Sequence, residues 1–251
     1  MKYKSVLYFF QNYNTYIHMV TFIEESHQYF NEKGEEYKSG TGFLHLYQKE
    51  FDSIGVATRV AAREGVSVDD ILAKWKRNSE EACTYGTSIH LIMENYIKSK
   101  IISPEHTSLY ESFDKITGDM FKWAKAIHSE KILWNDEYKL AGTADLIIDH
   151  NKNEFSVGDF KTNKAINFCS DFGERMLNPI SHLSSCNYNL YSLQLSLYAH
   201  MYSLLTGKQC RRVFLMHLRD GEWKEITANF MKHEVEVMLY HYKTTILNKM
   251  T

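Results

Sequence analysis

Asp159 and Lys161 stand two residues apart at the end of the run Glu154 to Lys161, which reads as a strand rich in apolar residues. In a strand, residues two apart share a face, so a carboxylate and an ammonium enter the same space. Upstream, Ala144 to Asp149 reads as a second strand with Asp145 near its head, after the small residues Gly142, Thr143 and Ala144. The turn-prone residues His150 to Asn153 lie between the two strands and would bring Asp145 close to Asp159. Two acids and a lysine at one point suit a hard divalent cation and a phosphate.

Each of these residues also has a plainer reading. Asp159 and Lys161 could form an edge-strand ion pair, and Asp145 could be a strand-end residue satisfied by a turn. His90 and Glu94 lie four apart on one face of a predicted helix. They read as a solvated polar pair or as a metal ligand with its supporting carboxylate. Glu130 opens the strand before Asp145 and reads as a residue supporting the site or as an exposed one. Gln194 and Tyr198, again four apart on a helix, read as ordinary helix surface or core, or as a grip on a phosphate or on Lys161.

The elements that must position these groups follow from periodicity and turn signals. The 251 residues are 44% hydrophobic with only 2 prolines, enough for one sizeable α/β core with long helices. A β-hairpin is expected over residues 21–38 with Lys33 and Gly34 at its tip. A short helix follows Gly40, and residues 51–80 read as helical. A further helix is expected from about 84–87 to 98, with Thr87 as its N-cap, and another over 107–128. Strands are expected at 129–135, 140–149, 154–161 and 211–219, with helices at 189–206 and 230–249. The irregular segment 163–188 is long for a compact domain, which marks loops that act on substrates or move. Residues 1–20 read as an N-terminal extension, with Met19 a natural second start, 21–83 as a hairpin and helical appendage, and 84–251 as the core. The fold class is α/β: a small mixed sheet flanked by helices, with an N-terminal hairpin and helical additions.

The formal charge of −2 argues against a surface coated in basic residues, though not against a local basic cleft. Cys83, Cys169, Cys186 and Cys210 are widely spaced, with no two-residue gap of the zinc-knuckle kind. They read as thiols of a reducing cytosol. No run of about 20 apolar residues could cross a membrane.

In chain order, Gly86-Thr87-Ser88-Ile89-His90-Leu91-Ile92-Met93-Glu94, then Ala141 to Asp145, then Asp159-Phe160-Lys161-Thr162, then Gln194-Leu195-Ser196-Leu197-Tyr198 resembles the PD-(D/E)XK nuclease superfamily, RecB-like branch. The resemblance covers about residues 84–219, and the hairpin with Ser39-Gly40-Thr41 is similar to phage-encoded members. It implies a restriction-endonuclease-like core and a Mg²⁺-dependent deoxyribonuclease that also accepts Mn²⁺. His90, Asp145 and Asp159 would be metal ligands, joined by the Phe160 carbonyl. Lys161 would align or activate the attacking water, and Gln194 and Tyr198 would position the phosphate or support Lys161. Glu94 and Glu130 would stand behind the ligands. Many members of this branch carry Glu where this chain has Asp159. Some relatives hold an iron–sulfur cluster with clustered cysteines; that clustering is absent here, so no cluster is expected. The function implied is a DNA exonuclease of phage recombination or DNA processing, in the host cytoplasm, with a recombinase or single-strand annealing protein as partner. An endonuclease acting on flaps or single strands is the alternative, and a non-catalytic DNA-binding module a third reading. Lys164, Arg175 and Tyr188 would contact the substrate, with His182, Phe168 and Phe172 nearby in the same segment.

Overall fold

The computed structural model describes residues 3–5, 20–23 and 25–249. The rest of the expected N-terminal extension lies outside the described residues. Among the described residues, nine strands and six α-helices make a mixed sheet with helices on both faces. The strands are β1 (Tyr3–Ser5), β2 (Val20–Ile23), β3 (Gln28–Asn31), β4 (Glu36–Ser39), β5 (Ala126–Asn135), β6 (Leu140–Asp149), β7 (Glu154–Lys161), β8 (Gln209–Arg219) and β9 (Glu222–Thr227). The helices are α1 (Gly40–His45), α2 (Ser53–Glu64), α3 (Val68–Ser99), α4 (Thr107–Trp123), α5 (Asn187–Thr206) and α6 (Lys232–Thr245).

The expected hairpin is present as β3 and β4 around Gly34, whose φ of 77° suits glycine. It is not an appendage to the sheet, because β4 pairs in parallel with the start of β6. β2 and β1 extend it outward, so Tyr3–Ser5 pairs with Thr21–Ile23.

The centre of the sheet is β6. One edge pairs with β5 along nearly its whole length. The other edge is divided: β4 pairs with Leu140 and Ala141, and β7 pairs with Leu146 to Asp149. Between them, residues 142–145 have no strand partner on that edge. The sheet splays there, at the head of the strand that carries Asp145. β7 continues in parallel with β8 as far as Lys161 opposite His217.

Two apolar layers hold the sheet. On one side α1, α5 and α6 pack Phe43, Leu193, Leu197 and Met238 against Phe155, Val157 and Leu215. On the other, α3 and α4 pack Met93 and Phe113 against Leu146, Ile148, Phe160 and Met216. The strand alternation of β7 feeds both layers, with Phe155 and Val157 on one side and Phe160 on the other.

The largest departure from expectation is α3. It is one helix of 32 residues where two were expected. Thr87 is therefore not an N-cap; the cap is Ser67, in a reciprocal box with Asp70. Thr84, near the expected start, donates its hydroxyl back to Glu80 O at 2.9 Å, which a helix interior permits. A division of the chain at residue 83 falls inside this helix. The first half of α3 packs on α2 through Ala57, Ala61 and Ile71, while the second half lies on the sheet. Helix α4 ends at Trp123, and β5 begins at Ala126, earlier than periodicity suggested. β9 was not anticipated; it follows a tight turn at Asp220 and Gly221, both with positive φ.

Candidate metal centre

The site forms where β6 and β7 part. Their antiparallel ladder ends at Leu146 opposite Gly158, one step before Asp145 would meet Asp159. The Phe160 N–H is satisfied instead by the Asp145 side chain, donating to Oδ2 at 2.7 Å. That bond fixes one carboxylate at the mouth of the splay and leaves Asp159 beside it.

α3 brings His90 to the same point. Gly86 lets the helix come close to the end of β7, since a Cβ there would stand 3.3 Å from the Thr162 hydroxyl. One turn later, His90 Nδ1 lies 3.5 Å from Asp145 Oδ2 and 3.8 Å from Glu130 Oε1. Its Nε2 lies 3.1 Å from the Phe160 carbonyl. Ligand atoms of His90, Glu130 and Asp145 all fall within 4.8 Å of one another. Glu130, expected behind the ligands, thus stands among them. Glu94 is buried and takes the Lys98 ammonium at 2.6 Å.

Glu130 reaches the cluster by an unusual backbone. Its φ is 53°, in the left-handed region that non-glycine residues rarely adopt, in the middle of a strand. The register runs from Ser129 opposite Leu146 to Lys131 opposite Ala144, and only the Glu130–Asp145 step is missing. Spacing along the sequence carries no trace of this backbone turn.

Asp159 and Lys161 form a close ion pair, Nζ to Oδ2, inside the protein; the two side chains are 4% and 17% exposed. Asp159 Oδ2 is sealed from solvent, and the Lys161 ammonium is its close partner. Burial pushes the Asp159 carboxyl up to about 6, with the Asp145 charge adding to the rise and Lys161 opposing it. Asp145 is held below its ordinary value: burial would raise it, but the His90 charge, the His90 hydrogen bond and Lys161 outweigh that. Burial works against charge on His90 as well, yet Asp145, Glu130 and Asp159 raise it to about 11. Lys161 also stays a cation, because the two aspartates overcome the cost of its burial.

The donor set fits a divalent cation. It offers carboxylate oxygens from Asp145 and Glu130, the Phe160 carbonyl and one imidazole, while Asp159, outside this group, is engaged by the Lys161 ammonium. The imidazole must lose its proton to serve as a ligand. An imidazole among oxygens also suits Mn²⁺.

α5 closes the other side. Gln194 Nε2 donates to the Tyr198 hydroxyl at 3.3 Å. Tyr198 is buried over the splay, where a Cβ on Gly142 would come within 2.5 Å of its ring and one on Gly40 within 3.0 Å. Two glycines therefore make room for this one ring. Burial raises its phenol, which stays neutral. From the N-terminal hairpin, Tyr29 bonds the Thr143 hydroxyl at 3.0 Å. Tyr29 is a neighbour of the site that sequence reading missed, since nothing near it in the chain marks it.

The substrate residues expected in segment 163–188 divide. Lys164 and Arg175 are exposed, and Arg175 donates to the His182 carbonyl at 2.6 Å. Tyr188 is a correction: it is buried, bonds the Thr227 carbonyl at 3.0 Å and packs under Phe168, so its ring is not open to a base. Phe168 and Phe172 are the open rings, 60% and 86% exposed. Phe172 faces a cleft of about 730 Å³ shared with Phe51, Arg59 and Arg63. Cys83 and Cys169 are exposed, Cys186 is buried and Cys210 half-buried. Among the described residues no cysteine belongs to a metal-ligating group, and no helix is long and apolar enough to cross a membrane.

The chain matches no protein-family model and no curated protein. Among solved structures it is similar to the crystal structure of SSO0001, at 15% identity and a TM-score of 0.37, over 85% of this chain and 78% of that one. It is also similar to a "Putative exonuclease" from Eubacterium rectale, at 11% identity and a TM-score of 0.37, over 85% and 80% of the two chains. Both likenesses are too distant to assign a role to any residue.

Proposed function

We propose that this protein is a Mg²⁺-dependent deoxyribonuclease of the PD-(D/E)XK superfamily, acting as an exonuclease on DNA. The observation that carries the reading is the meeting of His90, Glu130, Asp145 and the Phe160 carbonyl at the point where β6 and β7 part, beside the buried Asp159–Lys161 pair.

Asp145, Asp159 and His90 would hold the cation, with Glu130 a further ligand. A divalent cation there supplies charge to a phosphoryl oxygen and lowers the pKa of a bound water. Lys161, kept as a cation, places positive charge where negative charge develops on the phosphate and aims the attacking water. Gln194, tied to Tyr198, would present its amide toward the same space. Glu94 and Lys98 hold the helix face behind His90. Lys164 and Arg175 would follow phosphates, giving salt-sensitive binding, and Phe168 and Phe172 would stack on bases. A role in phage recombination, with a recombinase or annealing partner in the host cytoplasm, accords with the motif order.

The test is incubation of purified protein with end-labelled linear DNA, with and without Mg²⁺ or Mn²⁺. Metal-dependent release of short products from an end is expected, with covalently closed single-stranded circles resistant. Rapid cutting of the circles would favour the endonuclease reading, and no cleavage of either substrate would leave a DNA-binding module.

A further inference from the structure

We infer that Tyr191 is a positioning residue for Lys161, its ring holding the ammonium over the site as a second anchor beside Asp159. The inference rests on the nuclease reading for its consequence, but not for its geometry. Lys161 Nζ lies 4.5 Å from the centroid of the Tyr191 ring, well inside cation–π range. The same ammonium makes the close ion pair with Asp159. Tyr191, Gln194 and Tyr198 are three and seven residues apart on α5, so one stripe of the helix faces the splay. Gln194 and Tyr198 are coupled to each other at 3.3 Å, while Tyr191 is the member of the stripe that meets Lys161.

The need for a second anchor follows from the chemistry of the first. Asp159 cannot give its full charge both to a bound cation and to Lys161. Were it to hold a metal, the lysine would lose most of its ion pair, and a four-carbon stem has several rotamers to enter. An aromatic face attracts the ammonium without neutralising it and without competing for metal. It therefore keeps the charge aimed while Asp159 is engaged. Partial burial strengthens the contact relative to one on open surface.

The experiment compares wild type with Tyr191→Phe and Tyr191→Leu. The first reading is the NMR signal of the Lys161 ε-methylene, identified by its loss in Lys161→Arg. It should be shifted by the ring in wild type and Tyr191→Phe, and the shift should vanish in Tyr191→Leu. The second is cleavage of linear DNA at saturating Mn²⁺. Tyr191→Leu should lose about 5–30-fold in kcat, the range expected for a partly desolvated cation–π contact. KM and Mn²⁺ affinity should stay near wild type, and Tyr191→Phe should restore kcat. An unchanged ε-methylene shift in Tyr191→Leu overturns the anchor, as does a kcat equal to wild type or one that Phe fails to restore. A wild type that cleaves no DNA with either metal sinks the nuclease reading alone, because the NMR comparison still decides the contact.

Discussion

Glu130 and Asp145 face each other across β5 and β6 at the one step where that pairing is interrupted, and His90 Nδ1 lies between them, 3.8 Å and 3.5 Å away. The interruption and the left-handed backbone of Glu130 are one feature: the residue leaves the ladder so that its carboxylate can turn toward the imidazole. Backbone of this kind costs on the order of 1–3 kcal/mol and persists where surrounding structure enforces it.

The first prediction follows from that strain. Glu130→Gly should melt no lower than wild type, because glycine accepts positive φ and the substitution removes one of several clustered acids. The same variant should bind Mn²⁺ more weakly and cleave DNA more slowly. Calorimetric melting and Mn²⁺ titration check the two halves. A marked fall in melting temperature would show that Glu130 is a structural residue.

Asp159 and Lys161 should separate by their effects on metal. Asp159→Ala should abolish cleavage and weaken Mn²⁺ binding, with the fold retained. Lys161→Ala should abolish cleavage and bind Mn²⁺ at least as well as wild type, since it removes a cation beside the acids. Full cleavage by either variant would exclude the assignment.

Gly142 should not tolerate a side chain. A Cβ there would lie 2.5 Å from the Tyr198 ring, which is buried and cannot retreat freely. Gly142→Ala is expected to cost about 1–3 kcal/mol, the usual penalty of overpacking. It should also disturb Gln194, which Tyr198 holds. A second change, Tyr198→Leu, makes room and should recover most of the lost stability without restoring activity. Urea unfolding of the single and double variants measures this directly.

At the other end of β6, Asp149 supplies a test in pH. It is buried, accepts from the Tyr202 hydroxyl at 3.1 Å and pairs with Lys208 at 2.5 Å. Burial would raise its carboxyl, but His128, Lys208 and Tyr202 together hold it below the ordinary value. The folded state therefore binds its proton less readily than the unfolded chain. Its stabilisation is fully present above the unfolded pKa of about 3.9 and is lost as pH falls through the lower folded value. Asp149→Ala should cost about 3 kcal/mol at neutral pH, because it leaves Lys208 unpaired. The gap to wild type should close in acid. A gap that stays constant down to the acid limit would mean that packing, not charge, is what Asp149 provides.

Much of the site was legible in the sequence because its residues lie at fixed offsets on regular elements. The two-residue spacing of Asp159 and Lys161 needs only a strand to share a face, and the four-residue spacing of Gln194 and Tyr198 needs only a helix. Strands β6 and β7 and the turn between them follow from apolar runs broken by polar residues. These features depend on local geometry, and local geometry is what spacing encodes.

Tertiary structure decided the rest. The single long α3 could not be told from two helices, because Gly86 and Thr87 look like a helix start although the helix runs unbroken through them. Glu130 moved from the background into the cluster through one backbone angle that no side-chain pattern records. Tyr29 and Tyr191 reach the site from elements distant in the chain, and Tyr188 is turned into the core by the Thr227 carbonyl. The splay of β6 and β7, on which the whole centre depends, exists because β4 and β7 share one edge of β6 and leave residues 142–145 unpaired there. Such a gap is a property of three strands together, and a sequence read along one dimension holds no period that announces it.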